Sequence, residues 1–336
     1  MKRARKFLPM AHLMLALGIA AFAQNRGPGG RGGGGGGFRR WGGHGGGGDT
    51  GIVYTEDGGP VDTETVKSAR EIASHSTGTP TWTNTPGFER DVFTFVRTMW
   101  RRAADSSGIS YSSSSMGWIT DFPDSDLNLS FRLQQVTSMR TDPDGRVVRF
   151  TDPALFDYPW IYMVEPGGLE LKSHEVPILR KYLENGGVLW ADDFWGVKQW
   201  DNLARQMKLV LPNRQFVDLG MTNPIFHCVF DIKVPMNKLQ TPNYYQGRQS
   251  LYPGPRYGIT WEPYHDDYEY GGEGAHDMHV RAIYDDKGRI MVIATHNCDN
   301  GDGWEREGED DGFFHEFSEK RAYPLGINVI FYLMSH

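Results

Sequence analysis

The 336-residue chain is short of cysteine, of surplus positive charge and of long apolar runs, and each shortage removes a class of protein. Its two cysteines, Cys228 and Cys298, cannot make the framework that staples small secreted folds. Whether they pair depends on their distance in space, which spacing does not give. Thirty-five Lys and Arg stand against 42 Asp and Glu, a net charge of −7. A chain without an excess of clustered cations does not neutralise phosphate, so no nucleic acid is expected as a partner. Beyond residue 23 no segment reaches the roughly 18 uninterrupted apolar residues of a spanning helix, so no transmembrane span is expected in the mature chain. What is present, 39% hydrophobic and 13% aromatic residues, suffices for one large core or two modest ones.

The start, MKRARKFLPMAHLMLALGIAAFAQ, joins Lys2, Arg3, Arg5 and Lys6 to a short apolar run and to small residues at Ala21 and Ala23. This is the pattern of a secretory signal peptide, residues 1–23, cleaved after Ala23. It implies a periplasmic or secreted protein. The run is short for an anchor and contains Pro9 and His12, and no cysteine sits at the cleavage point to carry a lipid. NRGPGGRGGGGGGFRRWGGHGGGGDTG follows, with almost nothing apolar to bury. Residues 24–60 read as a glycine-rich disordered tether and residues 61–336 as the folded domain.

Within that domain strands and helices alternate, as in an α/β fold. VDTETVKSAREIASHS predicts a weak amphipathic helix capped by Asp62, with Val66, Ala69, Ile72 and Ala73 on one face. Val92 to Val96 predicts a buried strand, and DLNLSFRLQQVTSM a helix burying Leu129, Leu133 and Val136. Asp126 there suits a helix cap better than a calcium ligand, because DSDLN opens like an EF-hand loop but has Leu129 where glycine is required. PWIYMVE then predicts a strand, KSHEVPILRKYLENGG a helix and VLWADD a further strand. Ser173 would cap that helix, Pro177 lies near its first turn, Val176, Leu179 and Leu183 form its buried stripe, and Gly186 or Gly187 stops it. Strand, helix and strand in succession imply a right-handed parallel crossover. Beyond it KQWDNLARQM reads as helix, IFHCVFDI as extended, VRAIYDDKGRIMVIATHN as a hairpin turning at Asp286 to Gly288, and YPLGINVIFYLMSH as a helix on the sheet.

The order of DVFTFVR, TDFPDSDLNLSFRLQQVT, LELKSHEVPILRKYLENGGVLWADDFWG, NPIFHCVFDI, VIATHNCDNGDGWE and PLGINVIFYLM resembles a bacterial domain of unknown function, family 4159. That family is similar in fold to the class I glutamine amidotransferase superfamily. The resemblance implies a flavodoxin-like three-layer sandwich with a mostly parallel sheet, carrying acidic and aromatic insertions at 240–279 and 297–320. In the catalytic amidotransferases a cysteine occupies the strand-to-helix elbow and a histidine lies near the end of a late strand. Here the elbow is ADDFWG, without cysteine, while VIATHNC does place His296. A carboxylate is not the usual substitute for a thiolate in amide hydrolysis, so the fold carries over without the glutaminase activity.

Open α/β sheets hold their ligands at the carboxyl ends of the strands. Asp192, Asp193 and His296 would arrive there as a catalytic set competent for acid–base work, with Glu165, Trp195, Asn297, Trp304 and Tyr268 as binding residues. The plainer alternative is that Asp192 and Asp193 cap the next helix. Asp299, Asp302 and Glu305 are oxygen donors in a glycine-punctuated stretch that a divalent metal such as calcium would accept, although a solvated acidic loop explains the stretch as well. No cofactor is otherwise expected. The sequence therefore points to an exported binding or scaffold module, its partner an envelope protein or a glycan. The alternatives are a carboxylate-based or metal-assisted hydrolase and a glycan-binding module.

Overall fold

A computed structural model of the chain describes residues 51–88, 91–101, 117–262 and 274–336. The expected signal peptide, most of the tether and Tyr268 lie outside these residues. Among the described residues nine strands run in chain order: β1 (Ile52–Tyr54), β2 (Pro60–Asp62), β3 (Val96–Met99), β4 (Arg146–Arg149), β5 (Trp160–Val164), β6 (Val188–Phe194), β7 (Val217–Asp218), β8 (His279–Tyr284) and β9 (Ile290–His296). The helices are α1 (Asp124–Val136), α2 (Glu175–Glu184), α3 (Gly196–Val210), α4 (Tyr244–Leu251), α5 (Asn300–Glu305), the single turn α6 (Asp311–Phe313) and α7 (Tyr323–Ser335), with a π-helical stretch over Phe314–Ala322.

β3 to β9 form one sheet in the order β4-β3-β5-β6-β9-β8-β7. β4, β3, β5, β6 and β9 are parallel, and β8 and β7 continue antiparallel at one edge. The parallel strands β5, β6 and β9 are buried along their whole length, because helices cover both faces. Alternation sorts their side chains. Ile161, Met163, Leu189 and Ala191 face α2 and α3 through Leu179, Leu183, Leu203 and Met207. Trp160, Tyr162, Trp190 and Ile293 face the layer of α1, α5 and α7 through Leu129, Leu133, Trp304 and Leu325. The result is an α/β sandwich. The chain leaves β3 toward β4 on one side and β5 on the other, so strand order reverses between β3 and β5, where such sheets open a crevice.

Several expectations are corrected. The helix expected over 62–76 is absent: Pro60–Asp62 pairs with β1, and only Ala69–Glu71 makes a helical turn. Order therefore begins before residue 61. The strand expected over 92–96 starts at Val96 and is preceded by an isolated bridge from Phe93 to Thr141. IFHCVFDI is a turn and loop, because Pro224 starts a 3-10 turn and the Asn328 side chain takes up the backbone N–H groups of Val229 and Phe230. α2 starts after His174 without a side-chain cap, and Val136 of α1 is exposed. Asp126 is no cap. It lies inside α1, fully buried, and its carboxylate receives Nε and Nη2 of the fully buried Arg97. The acidic stretch after β9 is no solvated loop over its first part, for every residue from Asn297 to Arg306 is buried, whereas Glu307 to Asp311 are half-buried or exposed.

Candidate functional site

The carboxyl ends of β3, β5, β6 and β9 meet at one edge. Among the described residues four non-glycine residues have left-handed backbone, and they are the ones at these ends: Asp121 (φ 62°) after β3, Glu165 (φ 50°) after β5, Asp193 (φ 54°) in β6 and Asn297 (φ 59°) after β9. Each such residue costs on the order of 1 kcal/mol or more and persists where its surroundings hold it, most often at functional sites.

In β6 the pairing with β9 slips between Ala191 and Phe194. That bulge gives the two neighbouring aspartates different surroundings. Asp192 is sealed in. Tyr162 donates its hydroxyl at 2.8 Å, Thr295 its hydroxyl, and Asn300 both its backbone N–H at 3.1 Å and its amide at 2.8 Å. Burial raises its pKa to about 6 against these stabilising bonds. Asp193 accepts the Trp195 indole N–H at 2.9 Å. Burial and then the charges of Glu165, Glu262 and Asp121 drive its pKa well above the ordinary carboxylate range. Neither aspartate caps α3, whose N-cap is Trp195.

His296 stands apart from these acids. Its ring stacks on Phe194 at 4.9 Å, Nδ1 receives Arg281 at 3.0 Å, and Nε2 donates to the Gly196 carbonyl at 3.0 Å. Burial, then Arg281, lowers its pKa to about 3, which leaves a neutral ring with both nitrogens engaged. Asn297 braces the elbow: its Oδ1 accepts Gly196 N–H, and Nδ2 donates to the carbonyls of Gly274 and Asp277. Trp304 lies in the core against Tyr162 and Trp190. The Cys298 thiol beneath the elbow is buried and held protonated by that burial and by Asp192, so it is no thiolate nucleophile.

Of the expected metal ligands, Asp299 caps α5 by accepting Asp302 N–H at 2.8 Å, and Asp302 accepts Tyr244 N–H at 2.6 Å. Glu305 meets His75 Nε2 at 2.5 Å and Arg306 Nε at 2.6 Å. Among the described residues two triads of carboxylates have ligand atoms within 4.8 Å of one another, Asp121 with Asp193 and Asp299, and Asp121 with Glu56 and Glu305. They differ in counter-charge. In the second, Arg306 pairs with both Glu56 and Glu305, and His75 bridges Glu305 to Asp124 at 3.0 Å. Even so, partial burial and Asp302 lift Glu56 to about 7.

In the first triad no cationic side chain is among the largest influences on Asp193 or Asp299. Burial comes first for all three, and then the neighbouring carboxylates, with Arg97 offering Asp121 only a lesser relief. Two charges no more than 4.8 Å apart repel by at least about 3.5 kcal/mol at an effective dielectric constant near 20, so three ionised groups would oppose one another by at least about 10 kcal/mol. Protons or a cation must offset that. Asp121 Oδ2 is buried without a hydrogen-bond partner, and it lies where a Cβ on Gly301 would come within contact, so only glycine fits at the start of α5.

Of the residues named from the sequence, the structure brings Asp193, Asp299 and Glu305 into these clusters, beside Asp121, Glu56, His75 and Arg97, which the sequence did not single out. The signal for Asp121 was available, an aspartate directly before Phe-Pro and the helix that follows β3. A family model described as a domain of unknown function (DUF4159) matches residues 108–334, which takes in Asp121, Asp193 and Asp299 and leaves out Glu56 and His75. No curated protein matches the chain.

Proposed function

The chain belongs to the DUF4159 family, and from the chemistry of its acidic edge we propose that it is an exported cell-envelope binding module. We read the sheet as a flavodoxin-like, class I glutamine amidotransferase-like scaffold, on the strength of its five parallel strands with helices on both faces. The observation that carries the binding reading is the state of the catalytic candidates. His296 has no free nitrogen, Asp192 is saturated and Cys298 is a buried thiol, whereas the strained Asp121, Glu165 and Asp193 converge at the strand ends. Recognition needs such fixed acceptors; nucleophilic catalysis needs a base within reach of a nucleophile. Export rests on the basic, apolar and small-residue pattern of residues 1–23.

One observation favours a second reading. Asp193 and Asp121 hold protons above the usual carboxylate range, a property suited to a general acid in a carboxylate-based or metal-assisted hydrolase. One experiment separates the two. The mature chain is incubated with soluble peptidoglycan fragments, envelope oligosaccharides and chromogenic ester, amide and glycoside substrates, with binding followed by calorimetry and products by mass spectrometry. Binding without turnover, weakened by Asp193→Asn, is the expected result. Product formation abolished by Asp193→Asn in a normally melting protein would put the hydrolase in its place, and neither binding nor turnover would sink both.

A further inference from the structure

We propose that Asp121, Asp193 and Asp299 together form a binding site for one calcium ion. The inference rests on reading the acidic edge as the working surface of the domain. An acidic cluster alone is no site, since such groups can share protons or pair with Arg and Lys. The cluster has something further, the Asp121 carboxylate: the residue is 1% exposed, its Oδ2 is buried without a hydrogen-bond partner, and one oxygen of this carboxylate lies within 4.8 Å of an oxygen each of Asp193 and Asp299.

Ligand chemistry selects the ion. The donors are all carboxylate oxygens, which suit hard cations and not the softer transition metals. Calcium binds oxygen at about 2.4 Å, so two of its ligands stand no more than about 4.8 Å apart. The three ligand atoms lie within 4.8 Å of one another, a span a calcium ion can bridge. Magnesium demands near-ideal octahedral geometry and usually keeps several of its waters, which suits it less to a cage of protein carboxylates. The backbone is set for the same task. Asp121 and Asp193 reach the cluster from left-handed residues, and Asp299 reaches it from the cap of α5 while its other contact, Asp302 N–H, fixes its orientation.

The neighbouring triad makes the contrast. Glu56 and Glu305 share Asp121 as a neighbour, but Arg306 and His75 already stand against them. Among the described residues an arginine and a histidine thus already stand on one side of Asp121. The ion belongs on the side of Asp193 and Asp299.

The test uses the full mature chain, stripped with a chelator and titrated with calcium chloride, with magnesium chloride in parallel. Native mass spectrometry reads stoichiometry, calorimetry reads affinity and thermal melting reads stabilisation. One calcium per chain is expected, with a rise in melting temperature and weaker binding of magnesium. Asp121→Asn and Asp193→Asn are each expected to weaken calcium at least about 100-fold, and Glu56→Gln to leave it within about threefold. If Asp121→Asn fails to fold, Asp193→Asn with Glu56→Gln still decides the matter. Loss of calcium in Glu56→Gln with retention in Asp193→Asn would assign the ion to the other triad and overturn the proposal, as would the absence of any mass increment or heat. Should calcium fail to bind while oligosaccharide or peptide binding survives chelation and remains sensitive to Asp193, this inference falls and the binding module stands.

Discussion

Asp192 and Asp193 are adjacent in one strand, and the environments described above require their removal to act in opposite directions. Asp192→Ala takes the acceptor from Tyr162, from Thr295 and from two N–H groups of Asn300. The Thr295 hydroxyl can turn fully to the Ala191 carbonyl, which it already approaches at 3.3 Å. Three donors are then left buried, at about 2 kcal/mol each. Against this, the substitution removes a carboxyl whose pKa has risen from 3.8 to about 6, a relief of about 3 kcal/mol at pH 8. The net loss is about 3 kcal/mol, or about 6 °C at roughly 2 °C per kcal/mol for a domain of this size. Asp193→Ala gives up one indole hydrogen bond, about 1 kcal/mol, and removes a carboxylate crowded by Glu165, Glu262 and Asp121. In chelator at pH 8 its melting temperature should match or exceed that of the parent. Urea and thermal unfolding followed by tryptophan fluorescence reads both. An Asp193→Ala variant as damaged as Asp192→Ala under those conditions would refute the account of the bulge.

Three further outcomes follow from individual contacts. The folded His296 takes a proton only near pH 3 while the unfolded chain takes it near 6.5, so stability is lost as pH falls through that window, by up to about 5 kcal/mol; His296→Gln should flatten this acid limb in a series of urea melts. Gly301→Ala would bring a Cβ within 1.9 Å of Asp121 Oδ2 and should cost about 1–3 kcal/mol despite its better helix propensity, with the cost shrinking in an Asp121→Ala background. Cys228 and Cys298 are both free, so a thiol titration of the unfolded, unreduced protein should count two per chain, and one disulfide per chain would contradict the arrangement.

How much of this was legible depends on how local the cause is. β6, the elbow and α3 were readable because Gly186 must be left-handed (φ 108°) and the apolar run between two glycine stops has no other use than a buried strand. β4 was missed. RVVR is four residues long, and its two arginines disguise the buried Val147 and Val148. The first expected helix failed because 61–76 is held by distant partners: Val61 pairs across to Val53, and His75 is pinned by Asp124 and Glu305. Asp126 read as a cap because nothing near it in sequence announces Arg97, which reaches it from β3. Local propensity yields to such tertiary contacts wherever a buried charge must find its counter-ion.

The same distinction separates the acids that explain themselves from those that do not. Asp126 has Arg97, Asp192 has four donors, and Glu305 has His75 and Arg306. Each would be costly to remove, and stability alone accounts for it. Asp121, Asp193 and Asp299 fail that test. An asparagine is nearly the same size, keeps an acceptor for Trp195 and for the α5 cap, and abolishes the mutual repulsion. A chain shaped only by stability gains by that exchange at two of the three positions, while two of the three also bear a left-handed backbone that a different residue or turn would relieve. Stability given up twice over at one place, at the carboxyl ends of an open parallel sheet, is the pattern expected of the calcium site proposed above, where the charge of the cation would offset the mutual repulsion.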